Sequence, residues 1–165
     1  MLKPALILCT MLGAVAGLAA AQPSVRVEPA NLQGPRVLEG QTSTGAIRDY
    51  LESWAAMRSA LKENRADLLD RDFVGDAKEK LTDTIQQQSR MDIRTVYQDR
   101  AHDLQIVFYS PDGLSIELTD KVDYEVQLFA GNKLQATQLQ HARYIVVLTP
   151  AEVRWRVRVL QAAQE

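Results

Sequence analysis

The chain has 165 residues, 46% of them hydrophobic and 24% charged, with 19 Lys and Arg against 21 Asp and Glu for a net charge of −2. That size and composition describe one globular domain and exclude disorder, a collagen-like chain and a many-pass membrane protein. A charge so close to neutrality lacks the basic surplus that nucleic-acid surfaces carry.

Lys3 precedes an uncharged run from Pro4 to Ala21 that holds Leu6, Ile7, Leu8, Met11, Leu12, Val15 and Leu18 and closes on Ala19, Ala20 and Ala21. One positive charge, an apolar stretch and small residues before Gln22 are the parts of a secretory signal peptide, so residues 1–21 are expected to be removed and the protein exported, to a periplasm or outside the cell. A membrane span needs about 20 strongly apolar residues, and Gly13, Gly17 and several alanines dilute this run. Cys9, the only cysteine, lies within it. Leu8 before Cys9 is unlike the small residue of a lipid-attachment signal. The mature chain therefore has no disulfide, no thiol nucleophile and no thiolate metal site. It carries 18 basic and 21 acidic residues, with neither a polybasic patch nor an acidic tail.

Residues 22–43 contain Pro23, Pro29, Pro35, Gly34 and Gly40 with little periodicity, which predicts an extended linker or arm. From Thr44 the spacing changes. Ile47, Tyr50, Leu51, Trp54, Met57 and Leu61 recur at three and four residues, opposite Arg48, Asp49, Glu52, Lys62 and Glu63. This is an amphipathic helix, with Ser43 or Thr44 as its expected cap. A short helical turn follows at Ala66–Asp70. Phe73, Ala77, Leu81 and Ile85 then step by four through polar surroundings, giving a second helix that ends near Ser89–Asp92.

The period then becomes two. Leu104, Ile106 and Phe108 alternate up to the turn Ser110-Pro111-Asp112-Gly113, where Pro fixes its own φ and Gly accepts a positive one. Leu114, Ile116, Leu118, Val122, Tyr124, Val126 and Leu128 keep one parity to the turn Ala130-Gly131-Asn132, and polar Thr119-Asp120-Lys121 is the expected bend or bulge. A third strand runs from about Leu134 to Leu148 with Ala142, Tyr144, Val146 and Leu148 together. After Thr149-Pro150-Ala151-Glu152, Val153, Trp155, Val157 and Val159 alternate with Arg154, Arg156 and Arg158. Short connections make these strands antiparallel neighbours. The expected architecture is α+β: N-terminal helices packed on a curled antiparallel sheet of about four strands, over residues 44–161, with 162–165 as a tail.

The Trp54 helix, the Phe73-Gly75-Ala77-Leu81 helix and a closing pair in which Tyr144, Val146 and Leu148 precede Trp155-Arg156-Val157 together resemble the nuclear transport factor 2-like superfamily. That superfamily has a cone-shaped, cystatin-like fold and includes ketosteroid isomerase and SnoaL-like polyketide cyclases. The closing Trp-Arg-Val looks like the W-R-V/I final strand common in these domains. The resemblance covers roughly residues 44 to 160. It implies a pocket between sheet and helices and, commonly, a homodimer through the outer sheet face, but no particular reaction.

An isomerase or dehydratase of this kind needs a pocket carboxylate or histidine as general base. Asp120 shares the inward parity of Leu118 and Val122, where desolvation would raise its pKa; beside Lys121 it equally suits a solvated bend, which is the reading preferred. His102, next to Asp103, and His141, next to Arg143 once Ala142 is passed, read as exposed, and the two alone are an incomplete metal site. No H-E-x-x-H, G-x-S-x-G, P-loop or dinucleotide fingerprint is present. No metal site and no cofactor are therefore predicted.

Tyr50, Trp54, Tyr124, Tyr144 and Trp155, with Asp120, are the candidate lining of an apolar pocket for a small ligand; the same aromatics also suit a filled core. On the outer parity, Val107, Tyr109, Ile145 and Val147 form a candidate protein interface. Arg143, Arg154, Arg156 and Arg158 join it, facing Glu117, Asp123 and Glu125 across strands as ion pairs. The expected function is an exported, non-catalytic ligand-binding or protein-interaction module, with a carboxylate-dependent isomerase or dehydratase as the alternative.

Overall fold

The computed structural model describes residues 22–163; the expected leader, residues 1–21, and the last two residues lie outside them. In chain order the elements are β1 (Ser24–Val27), α1 (Gly40–Glu63), a 3-10 turn (Ala66–Leu69), α2 (Gly75–Arg90), β2 (Ile93–Tyr109), β3 (Ile116–Ala130), β4 (Lys133–Pro150) and β5 (Trp155–Ala162). The sheet order is β1-β2-β3-β4-β5. β2 to β5 are antiparallel neighbours and β1 runs parallel to β2, pairing Ser24–Val27 with Ala101–Leu104. This is the expected α+β architecture with a fifth strand supplied by the arm. Leu32 and Leu38, from the same arm, pack against the core.

The core sits where the alternating strand residues meet the helix stripes. Leu104, Ile106, Leu118, Val122, Val146, Leu148 and Val157 from the sheet face Tyr50, Trp54, Leu61, Phe73 and Ile85, and all are buried. Each such side chain contributes roughly 1.5–3 kcal/mol through removal from water. The helix stripes prescribe this arrangement, because neither α1 nor α2 can hide its apolar residues without the sheet. Among the described residues no helix is long and apolar enough to cross a membrane.

Four local expectations are corrected. α1 begins at Gly40 behind Glu39, which makes no side-chain cap, so Ser43 and Thr44 are inside the first turns rather than capping them. β2 begins at Ile93, well before Leu104. Thr119-Asp120-Lys121 pairs regularly with both neighbours, and the extra residues lie instead at Arg100 and Val107 on β2, Gln135 on β4 and Arg158 on β5. Each bulge places two residues opposite one and so exchanges the faces beyond it. Tyr109 therefore pairs with buried Ile116 and is itself buried, while Phe108 takes the outer position opposite Glu117. Val159 likewise pairs with Val147 on the outer face, and Leu160 with Val146 on the inner one.

Both turn glycines between strands have the backbone their positions demand. Gly113 and Gly131 sit at φ 78° and 56°, a region that L side chains avoid. Gly131 also donates its N–H to Asp92 O at 2.8 Å, which ties the β3–β4 turn to the start of β2.

Candidate functional site

Four-residue spacing aligns Tyr50, Trp54 and Arg58 along one face of α1. Asp99 and His102 are three apart on β2 and would ordinarily face opposite ways; the extra residue Arg100 puts both on the helix side. Asp120 and Tyr124 come from β3, and Tyr144 from β4, with Leu104, Asp120 and Tyr144 in one cross-strand row.

These residues form a continuous polar chain inside the cone. Tyr50 donates its O–H to Asp120 Oδ2 at 2.8 Å. The same oxygen lies 2.7 Å from His102 Nδ1. His102 Nε2 lies 3.6 Å from Asp99 Oδ2, and Arg58 Nη1 lies 2.8 Å from that oxygen. The side chains of Asp120, His102 and Asp99 are 0%, 2% and 3% exposed. Trp54 crosses His102 edge to face at 5.4 Å and Tyr144 at 5.3 Å, while Tyr124 and Tyr144 join hydroxyls at 3.1 Å. Sequence reasoning placed Asp120 on the correct face but preferred a solvated bend, and it left His102 exposed; both are core residues. Asp99 and Arg58 were not singled out. The signal that existed was the Asp99-x-x-His102 spacing, which becomes meaningful only through the bulge.

Burial pushes the His102 imidazole down, but the bonds to Asp120 and then Asp99 outweigh it and raise its pKa to about 9. The ring is thus cationic at neutral pH. Burial pushes Asp99 up, and His102 and Arg58 bring it below its ordinary value. The Tyr50 phenol is raised well above its usual pKa by burial and by Asp120, and Tyr97 rises to about 12 by burial beside Tyr124. Both phenols are neutral, and Tyr50 is a donor. Asp120 Oδ1, Asp99 Oδ1 and Trp54 Nε1 are buried without hydrogen-bond partners.

Outside this chain lies an open cleft of about 680 Å3 bounded by Gln22, Pro23, Arg58, Tyr97, Gln98, Asp99 and Arg100. It reaches Asp99 and Arg58, and His102 and Asp120 lie behind them. Among the described residues no cluster of three or more His, Cys, Asp or Glu could hold a metal ion.

The remaining predicted residues separate. Trp155 is half-buried at the other end of α1, where its backbone N–H donates to Asp49 Oδ2 at 2.8 Å. Arg154 does not face outward. It turns onto the helices, 3.1 Å from Asp72 Oδ1 and 2.9 Å from Glu52 Oε2, joining Arg48 and Arg71 around buried Asp49 and Asp72. Arg156 donates to the backbone oxygens of Asp70 and Phe73 at 2.6 and 3.1 Å, which also removes it from the outer patch. Tyr109 has moved to the inner face, beneath the Arg36 guanidinium at 4.7 Å. Val107, Ile145 and Val147 are half-buried, and Arg143 and Arg158 exposed. On the outer face Arg100 pairs with Glu125 at 3.2 Å, and exposed His141 with Asp123 at 2.6 Å.

No family model and no curated protein matches the chain. Solved structures do. The intermembrane space region of chloroplast protein ARC6 superimposes with a TM-score of 0.62 at 13% identity, over 79% of this chain and 100% of that one. A putative scytalone dehydratase from Novosphingobium aromaticivorans gives 0.54 at 14% identity over 76% and 89%, and Aln2 from a Streptomyces species gives 0.51 at 10% over 78% and 94%. The chain has the nuclear transport factor 2-like fold. In a nuclear transport factor 2-like cone, the space between sheet and helices is where the Tyr50–Asp120–His102 chain lies here, packed under Trp54. At these identities the likeness is one of fold, and chemistry has to be argued from the side chains present.

Proposed function

We propose that this protein is an exported, non-catalytic protein-interaction module whose cone is filled by its own side chains. The observation that carries the reading is the closure of the interior: Trp54 covers His102, and Tyr50, His102 and Asp120 are all at most 3% exposed. A general base must come within hydrogen-bond reach of the proton it removes; Asp120 Oδ2 and His102 Nδ1 are bound to each other and to Tyr50, and Asp120 Oδ1 is sealed in the core. The charge order Asp120, His102, Asp99, Arg58 is that of a self-neutralising structural network. Export rests on the Lys3 and Pro4–Ala21 pattern. The interaction surface is the outer sheet face around Val107, Ile145, Val147 and Arg143, where apolar residues adjoin exposed charge.

A second reading draws on Asp99. Its buried Oδ1 has no partner and the residue borders the cleft, so a small molecule entering beside Tyr97 would meet a carboxylate backed by His102. A carboxylate so placed is the base that an isomerase or dehydratase needs, and the Novosphingobium protein is named a putative scytalone dehydratase. Native mass spectrometry of the chain purified from an exporting host separates the two. The expected spectrum has the mass of residues 22–165 with no small molecule retained. A retained organic ligand that is released by Tyr97→Ala would overturn the interaction reading in favour of the cleft, and a mass that keeps residues 1–21 would overturn cleavage of the leader.

A further inference from the structure

The sheet has four free or covered borders, and they are not alike. β1 is four residues long and sits between Pro23 and Pro29. The start of β2 carries Arg94, Asp99 and Arg100. The outer border of β5 is covered by the segment before α2, with Val157 N–H on Asp72 O at 2.8 Å and Val74 N–H on Val157 O at 2.9 Å. Short strands, proline, charge and a covering segment are the ordinary protections of a sheet edge. β4 differs. β5 pairs with it from Tyr144 onward, and among the described residues nothing pairs with the β5-side edge of the preceding stretch. From Leu134 to Gln140 that stretch carries no charge and no proline, and it exposes Leu134 and Leu139, 48% and 53% accessible.

The ends of this open edge are set by two features. Ala163 donates its N–H to Arg143 O at 2.7 Å and stops it on one side; the bulge at Gln135 stops it on the other. What remains is Ala136–Ala142, whose central residue is Leu139. Since Arg143 turns its carbonyl toward β5, the alternation of an antiparallel ladder turns the N–H and C=O of Thr137, Leu139 and His141 toward the same open side.

The geometry points to a second copy of this chain as the occupant of that edge, paired antiparallel about a two-fold axis at Leu139. In this register Leu139 meets its own copy, Thr137 meets His141, and each of these three rows exchanges two backbone hydrogen bonds. The intervening rows set Gln138 against Gln140 and Ala136 against Ala142. No row brings like charges together. A register shifted by one residue, centred on Gln138, places Lys133 opposite Arg143, which like-charge repulsion disfavours. Self-complementarity of this kind is what an isologous dimer requires. The result is a sheet continuous across the axis with both outer faces on one side, whatever those faces bind.

Sedimentation velocity on the full chain from an exporting host tests this. The wild-type protein is expected to sediment as a dimer. Leu139→Lys sets two like charges on the axis and is expected to weaken dimerisation at least about tenfold, while the circular dichroism of the folded subunit stays that of wild type, because the side chain is exposed in the subunit. Leu139→Cys is expected to cross-link spontaneously, since directly opposed residues of a hydrogen-bonded pair lie about 5.5 Å apart at Cα, within disulfide range. Val153→Cys, 88% exposed elsewhere, and the wild-type mature protein, residues 22–165 without a cysteine, are expected to give no covalent dimer. A monomeric wild type, or a dimer indifferent to Leu139→Lys, overturns the inference.

Discussion

Asp120 holds two partners on one oxygen, and removing its charge tests what that is worth. Asp120→Asn keeps the shape but leaves the His102 cation with Asp99 as its remaining carboxyl neighbour. Loss of one member of a buried pair costs about 3–5 kcal/mol, so urea denaturation should show a destabilisation of that order and NMR titration should show the His102 pKa falling from about 9. The pH dependence has a definite sign. The folded-state pKa of His102 is raised above its ordinary 6.5. Its contribution to stability is therefore complete below that ordinary value and is lost as pH rises toward and through about 9. A urea midpoint measured from pH 6 to 10 should decline over this window, and the His102→Gln variant should be less stable at pH 6 and flatter across it.

At the level of elements, β5 is fastened to the helices by arginine rather than by sheet bonds alone. Arg154 is 13% exposed and stands between buried Asp49 and Asp72, while exposed Arg158 at the β5 bulge makes no ion pair among the described residues. Arg154→Ala leaves Asp49 with Arg48 and Asp72 with Arg71 but removes the least exposed of their arginines, and should cost about 1–3 kcal/mol by chemical denaturation; Arg158→Ala should stay within about 0.5 kcal/mol of wild type. Both arginines look the same in an alternating Arg-x-Arg-x-Arg strand. The sequence period revealed β3 and the end of β4 because one face there is buried and the other is not. It missed β1, whose four residues are all exposed, and it placed Tyr109 and Val159 on the wrong faces because neither Val107 nor Arg158 carries the glycine or proline that would mark a bulge. It left His102 at a strand start because the first half of β2, Ile93–Arg100, does not alternate in hydrophobicity.

For the whole molecule, protection should follow the cone. Slowest amide exchange is expected in the paired centre, Leu104–Ile106, Ile116–Val122 and Val146–Leu148, which opens only with global unfolding. Exchange should be faster at the exposed end of the β3–β4 turn, Asn132–Lys133. Hydrogen exchange read by mass spectrometry checks that order, and protection of the Thr137, Leu139 and His141 amides, which β3 does not bind, would report the strand added across the two-fold axis. The overall architecture was legible because helix stripes and strand alternation are long-range patterns. The interior network was not, since it depends on which residues three frames of different strands bring to one point.

The bulge at Arg100 is the spare count of β2. Asp99 pairs with Tyr124 and Ala101 with Asp123, which are neighbours on β3, so deleting Arg100 would close the strand into regular pairing with every side chain on the face it already has. Tyr97, Asp99 and His102 would still point to the helices. A chain built this way can lose one residue from β2 without losing the site, provided that the residue lost is the one that pairs with nothing.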